Sequence, residues 1–198
     1  PAPKSPTKGT VTAAGNDLEL PPGLAKPMVM AYDSVSARFV LGNEQSDAHT
    51  VLSQTSTYAA FFVRAGWSAG QSTTAIAIDR QAGDLWIALH GGDGAALHRL
   101  QLISGRRLET IDVTSEPAAE IVGLEIVSDG VLALDRAGRR VLKRAGRSQA
   151  VAAYASLPSD VVANSLTAAR SALYVAHMNG LLRIDFATRR AQPLTAPA

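Results

Sequence analysis

No cysteine occurs among the 198 residues, and that absence excludes disulfides, thiolate metal sites and cysteine nucleophiles together. No apolar run approaches the ~18–20 residues of a membrane-spanning helix; YAAFFV, residues 58–63, is among the longest. A large excess of charge of one sign is also missing. Nineteen basic side chains stand against 17 acidic ones, a formal net charge of +2. That footprint is too weak to argue for nucleic acid or an anionic membrane as the main partner. Hardly any window of about ten residues carries a 3.6-residue hydrophobic period, so helix is not expected anywhere of consequence.

What is present is 46% hydrophobic and 18% charged, a balance that suits a soluble globular chain and excludes a wholly disordered one. The segment PAPKSPTKGTVTAAGNDLELPPG holds five of the ten prolines and no helical or long strand pattern. Residues 1–16 are therefore expected to be a Pro-rich linker or processed N-terminus, and 17–198 the folded domain. Read as what a removed signal peptide leaves behind, the linker favours a periplasmic or secreted protein.

The remainder repeats itself. VMAYDSVSARFVLGN from Val29, AIAIDRQAGDLWIAL from Ala75, GLEIVSDGVLALD from Gly123 and SLTAARSALYVAH from Ser165 each read as two alternating strands around a tight turn. Aligned on Phe39, Leu85, Val131 and Leu173, they are spaced by 46, 46 and 42 residues. A second hairpin comes after each: 47–63, 97–113, 139–155 and 181–194, with Arg99-Leu100 matched to Arg183-Ile184 and Arg106-Arg107 to Arg189-Arg190. About sixteen short strands at this period predict an all-β fold, a β-propeller of four-stranded antiparallel blades over roughly 23–64, 72–113, 120–155 and 161–195.

TAIAIDRQAGDLWIA followed by LHRLQLISGRR, and ALYVAHMNGLLRIDFATRR, resemble the gluconolactonase/senescence-marker-like and NHL-type propellers. The resemblance covers roughly Pro22 to Pro193. It implies a ring of five or six blades, of which four are visible, so the chain is expected to be either a small closed ring or part of a longer one. DLELPP, residues 17–22, is expected to supply an outer strand that latches the last blade.

In a blade, the start of the innermost strand and the end of the second strand meet at one mouth of the channel. The first column reads Met28, Thr74, Val122 and Asn164; the second reads Asn43, Leu89, Asp135 and His177. With His90 from the HGGDGAALH tip, the candidate ligand-binding residues are Asn43, Thr74, His90, Asp135, Asn164 and His177. The resemblance implies a divalent cation at this mouth, Ca²⁺ or another, held by hard oxygen ligands; Asp135 and Asn164 are the residues that could hold it. Met28 and Val122 suit a dry channel instead, and an Asp at a strand end also caps the following turn.

Three further motifs invite chemistry. GWSAG, residues 66–70, fits G-x-S-x-G, but the residues after Ser68 read as loop and strand, with no helix to form a nucleophile elbow. Histidines 90 and 98 fit no standard zinc spacing. RAGRRVLKRAGR, residues 136–147, places Arg140, Leu142 and Arg144 on one face and Arg139, Val141 and Lys143 on the other; it reads as a solvated blade edge, with an acidic protein partner as the sharper alternative. Trp67 and Trp86 are expected to pack between blades.

The leading functional reading is a non-catalytic binding domain that presents the channel mouth to a small molecule or protein, with no cofactor. A divalent-metal-dependent lactonase-type hydrolase is the rival, and an extracytoplasmic sensor module a third.

Overall fold

A computed structural model describes residues 10–13, 16–19, 27–43, 48–53, 59–64, 71–91, 94–113, 118–146 and 150–194. All regular structure among them is β. Each repeat forms one four-stranded antiparallel meander. Blade one comprises β3 (Pro27–Asp33), β4 (Arg38–Asn43), β5 (Ala48–Ser53) and β6 (Ala59–Arg64). Blade two comprises β7 (Ser72–Asp79), β8 (Asp84–Gly91), β9 (Gly94–Gln101) and β10 (Arg107–Val113). Blade three comprises β11 (Ile121–Val127), β12 (Gly130–Asp135), β13 (Arg140–Ala145) and β14 (Ala152–Ser156). Blade four comprises β15 (Ala163–Ala169), β16 (Ala172–His177), β17 (Gly180–Asp185) and β18 (Ala191–Leu194). The first strands of successive blades pack side by side, β3 on β7, β7 on β11 and β11 on β15, which makes them the innermost strands. This is a β-propeller arrangement. Among the described residues no helix is long and apolar enough to cross a membrane.

Strand alternation explains where the core lies, because each blade offers one face to either neighbour. Leu85, Ile87, Leu89 and Leu100 of blade two join Val40 of blade one. The opposite face of blade two, Ala75, Ala77, Trp86, Ala88 and Leu97, meets Leu124, Val131, Ala133 and Leu142 of blade three. Leu132, Leu134 and Val141 continue onto Leu166, Leu173, Val175, Leu182 and Ile184 of blade four. The column shared by Trp86, Leu132 and Tyr174 holds in the register: they pair with Arg99, Lys143 and Arg183 of the third strands.

Five turns share one form, in which the residue four beyond an Asp or Gln takes a left-handed φ: Ala37 (50°), Gly83 (71°), Gly105 (69°), Arg139 (48°) and Arg189 (57°). In three of them that residue donates its N–H back to the first carbonyl, as Gly83 to Asp79, Gly105 to Gln101 and Arg189 to Asp185. Carboxylates tie the loops down: Asp79 accepts from the N–H groups of Gln81 and Ala82, and Asp185 from those of Ala187 and Thr188, as short polar side chains do in turns. The geometry corrects one repeat match by a residue. Arg189 stands where Gly105 does, so Arg106 corresponds to Arg190.

Two other expectations change. Residues 10–16 were expected as linker, but β1 (Thr10–Ala13) and β2 (Asn16–Glu19) form a hairpin. Among the described residues β2 pairs with β1 alone; residues 20–22 of the DLELPP segment, expected to latch blade four, lie outside the described residues. The basic run is no solvated edge either. β13 is an interior strand between β12 and β14, and Arg144 is buried, although the two faces divide as expected. GWSAG and Trp67 lie outside the described residues.

His98 on β9 is buried and its Nδ1 has no hydrogen-bond partner. Burial, with Arg107 nearby, pushes its pKa down to about 4, against a smaller opposing pull from Asp112. The unfolded chain then takes up the proton first as pH falls. Stability is full above the ordinary histidine pKa of about 6.5 and is lost as pH drops toward 4, by about 3 kcal/mol. Chemical denaturation of His98→Gln should show this slope flattened relative to wild type between pH 6.5 and 4; parallel curves would refute it. At Ala37 a non-glycine residue occupies left-handed backbone, so Ala37→Gly should stabilise by about 0.5–1 kcal/mol, a rise in Tm of about 1–4 °C. A lower Tm would contradict that reading.

Candidate functional site

The register of the inner strands breaks at the same place in every blade. Single shifts fall between Pro27 and Val29, Thr73 and Ala75, Ile121 and Gly123, and Ala163 and Ser165. The four extra residues are Met28, Thr74, Val122 and Asn164, the same column that the sequence places at a channel mouth. A bulge leaves one residue unpaired and re-aims its side chain. Met28 and Asn164 are exposed, while Thr74 and Val122 are half-buried; the Thr74 hydroxyl reaches the Ala88 carbonyl at 3.4 Å. Opposite the residue preceding each bulge stand Asn43, Leu89, Asp135 and His177. His90 lies one residue further along β8, opposite Ser72.

The candidates therefore share one end of the fold. Asp135 is fully buried and serves its own turn: Oδ1 accepts from the N–H groups of Glu120 (3.1 Å) and Gly138 (3.0 Å), and Oδ2 from Arg140 Nε at 2.9 Å. The sequence reading singled out neither Glu120 nor Arg136, which form an ion pair at this end. The Arg136 guanidinium donates to both Glu120 oxygens; that contact and the nearby His90 hold the Glu120 carboxyl below its usual range. His90 Nδ1 is buried without a hydrogen-bond partner. A Ca²⁺ ion takes 6–8 oxygens. Asp135 and Asn164 would supply it one exposed amide and one carboxylate already held by an arginine, which does not fit such a cage. Among the described residues no group of three His, Cys, Asp or Glu side chains could hold a metal ion.

The most voluminous described cavity, about 780 Å³, lies at the other end. It opens where the inner strands finish. Ala31 and Tyr32 of β3, Ile76–Asp79 of β7 and Leu124–Val127 of β11 line it, and it extends between blades two and three. None of the six candidate residues lines it. Its wall is a charged cluster. Arg144 sits in the column that holds Leu100 and Ile184 in blades two and four, yet it faces blade two with its side chain 4% exposed. Its guanidinium lies 5.1 Å from the centre of the Trp86 ring, and NH2 meets the Glu109 oxygens at 2.9 and 2.8 Å. Arg99 bridges the same Glu109 (3.3 Å) to Asp84 (3.3 Å). Burial, helped by the neighbouring Asp79, raises the Asp84 carboxyl pKa despite Arg99. Two arginines between two carboxylates over an indole make a wall able to exchange hydrogen bonds with a polar ligand.

No protein-family model matches the chain, and no curated protein matches it. Solved structures do. A chain of a nidogen/laminin complex superposes with a TM-score of 0.73 at 15% identity, covering 93% of this chain and 69% of that one. Virginiamycin B lyase from Staphylococcus aureus, in a catalytically inactive form with quinupristin, gives 0.74 at 13% identity, over 96% of this chain and 64% of that one. A protein of unknown function from Bacteroides caccae gives 0.64 at 13%, over 91% and 64%. The chain thus spans about two thirds of the length of these structures. Such likeness shows the fold, a β-propeller.

Removing one partner from a buried ion pair strands the other charge, at about 3–5 kcal/mol. Glu109→Ala should therefore lower Tm well beyond what the exposed substitution Thr110→Ala does. Equal, small shifts would show that Arg144 needs no counter-charge.

Proposed function

We propose that this propeller is a non-catalytic binding domain that presents a channel mouth to a small polar ligand or a protein partner. The observation that supports this is the 780 Å³ cavity at the inner-strand ends, within the range of ligand pockets. It is concave, it combines apolar residues (Ile76, Ile78, Leu124, Ile126) with convergent arginines and carboxylates, and its charged wall is held by its own ion pairs. A pre-organised wall loses little entropy when a ligand docks. The proposed seat of binding is this cavity, at the end opposite Asn164 and His177.

A thermal-shift screen of sugars, amino acids and organic acids tests the reading. A ligand at about 100 times its dissociation constant adds about 2.7 kcal/mol, a rise of about 5–10 °C. Ala82, an exposed turn residue that lines the cavity, gives the blocking variant Ala82→Trp, and Asn164→Trp is the control at the other end. The expected result is a shift abolished by Ala82→Trp alone, with the ligand recovered unchanged by mass spectrometry. A shift abolished only by Asn164→Trp, or turnover of the ligand, would overturn the proposal.

A further inference from the structure

A second concavity runs along the boundary of blades three and four. Its inner part, about 610 Å³, has Leu132, Tyr154, Ala168 and Phe186 among its lining residues. Its outer part, about 520 Å³, lies between β14 and the start of β18. The two meet at Tyr154 and Arg189, which line both. Tyr154 is fixed at the junction: its hydroxyl donates to the Phe186 carbonyl at 3.3 Å, Lys143 Nζ lies 5.4 Å from its ring centre and the Arg189 guanidinium 5.0 Å.

The rim carries one sign of charge in excess. Arg170 lines the inner part and Arg190 the outer part. Both are exposed, and neither forms an ion pair among the described residues. Of the acids on the groove, Asp129 is bound to Lys143 at 2.6 Å. Glu125 accepts a hydrogen bond from the Ala168 N–H, and burial raises its pKa. The linings thus hold Lys143, Arg170, Arg189 and Arg190 against Glu125 and Asp129, an excess of arginine, and guanidinium forks match carboxylates in geometry as well as charge.

We propose that this groove binds an extended acidic peptide segment of a partner protein, with an apolar side chain against Tyr154 and Phe186 and its carboxylates on Arg170, Arg189 and Arg190. The apolar floor selects a peptide over a purely anionic polymer: a polyanion would use the arginines and leave the floor unused. The surface adjoins the cavity at the inner-strand ends through the strand end and turn Glu125–Asp129, which lines both, whereas Tyr154, Phe186, Arg170, Arg189 and Arg190 line the groove alone.

The probe is a fluorescein-labelled peptide of about twelve alternating glutamates and phenylalanines, read by anisotropy at about 0.15 M salt. The comparison probes are oligoglutamate, the lysine–phenylalanine counterpart and a single-stranded oligonucleotide of the same length. Saturable binding of the first probe is expected, at least about tenfold tighter than any of the other three. Arg170→Glu combined with Arg190→Glu should weaken it at least about tenfold, while Asn164→Glu and Ala82→Trp leave it unchanged. Equal binding of oligoglutamate, tighter binding of the oligonucleotide, or no binding would each overturn the proposal. Loss of binding in Ala82→Trp alone would overturn it too, while leaving the channel-mouth reading standing.

Discussion

A four-stranded antiparallel sheet has two faces and cannot bury either by itself. The rest of this fold depends on each blade using its neighbours as the missing layer. Leu85 and Leu100 point back to blade one, Trp86 and Leu97 forward to blade three, and the alternation repeats at each boundary. At about 25 cal/mol per Å² of apolar surface removed from water, these columns are what hold consecutive blades at a fixed angle. The angle then sets where the innermost strands leave room for a cavity.

One boundary departs from the apolar rule, and it is the one beside the largest described cavity. Arg144 occupies a column that is Leu100 and Ile184 elsewhere, and blade two answers it with Glu109 and the face of Trp86. A lone buried guanidinium would be costly there. Paired and stacked, it becomes a rigid polar wall. The neighbouring boundary uses another solution: Lys143, Tyr154 and Arg189 line an open groove and leave Arg170 and Arg190 at the rim. Apolar packing and concave, charged surface are thus two uses of the same inter-blade positions.

Much of this was legible in the residues. The spacing of Phe39, Leu85, Val131 and Leu173 gave the blades, and alternation gave the faces of β13 correctly. The column Met28, Thr74, Val122 and Asn164 marked the bulges, although nothing in its residue types announces a bulge. Where reading failed, the missing information was a contact between blades. Charge alone made Arg144 look solvated, because Glu109 is 35 residues away in the chain. Arg189 looked like the partner of Arg106 because side-chain identity was matched, whereas the left-handed φ pairs it with Gly105.

The sequence by itself determined the all-β class, the number of visible blades and the direction in which each strand side chain points, since these arise from a period of two and a repeat of some forty-odd residues. Only the tertiary structure decided where the described cavities open and which charges are buried. Those properties belong to the spaces between blades, and a space is set by pairs of residues far apart in sequence, not by either residue alone.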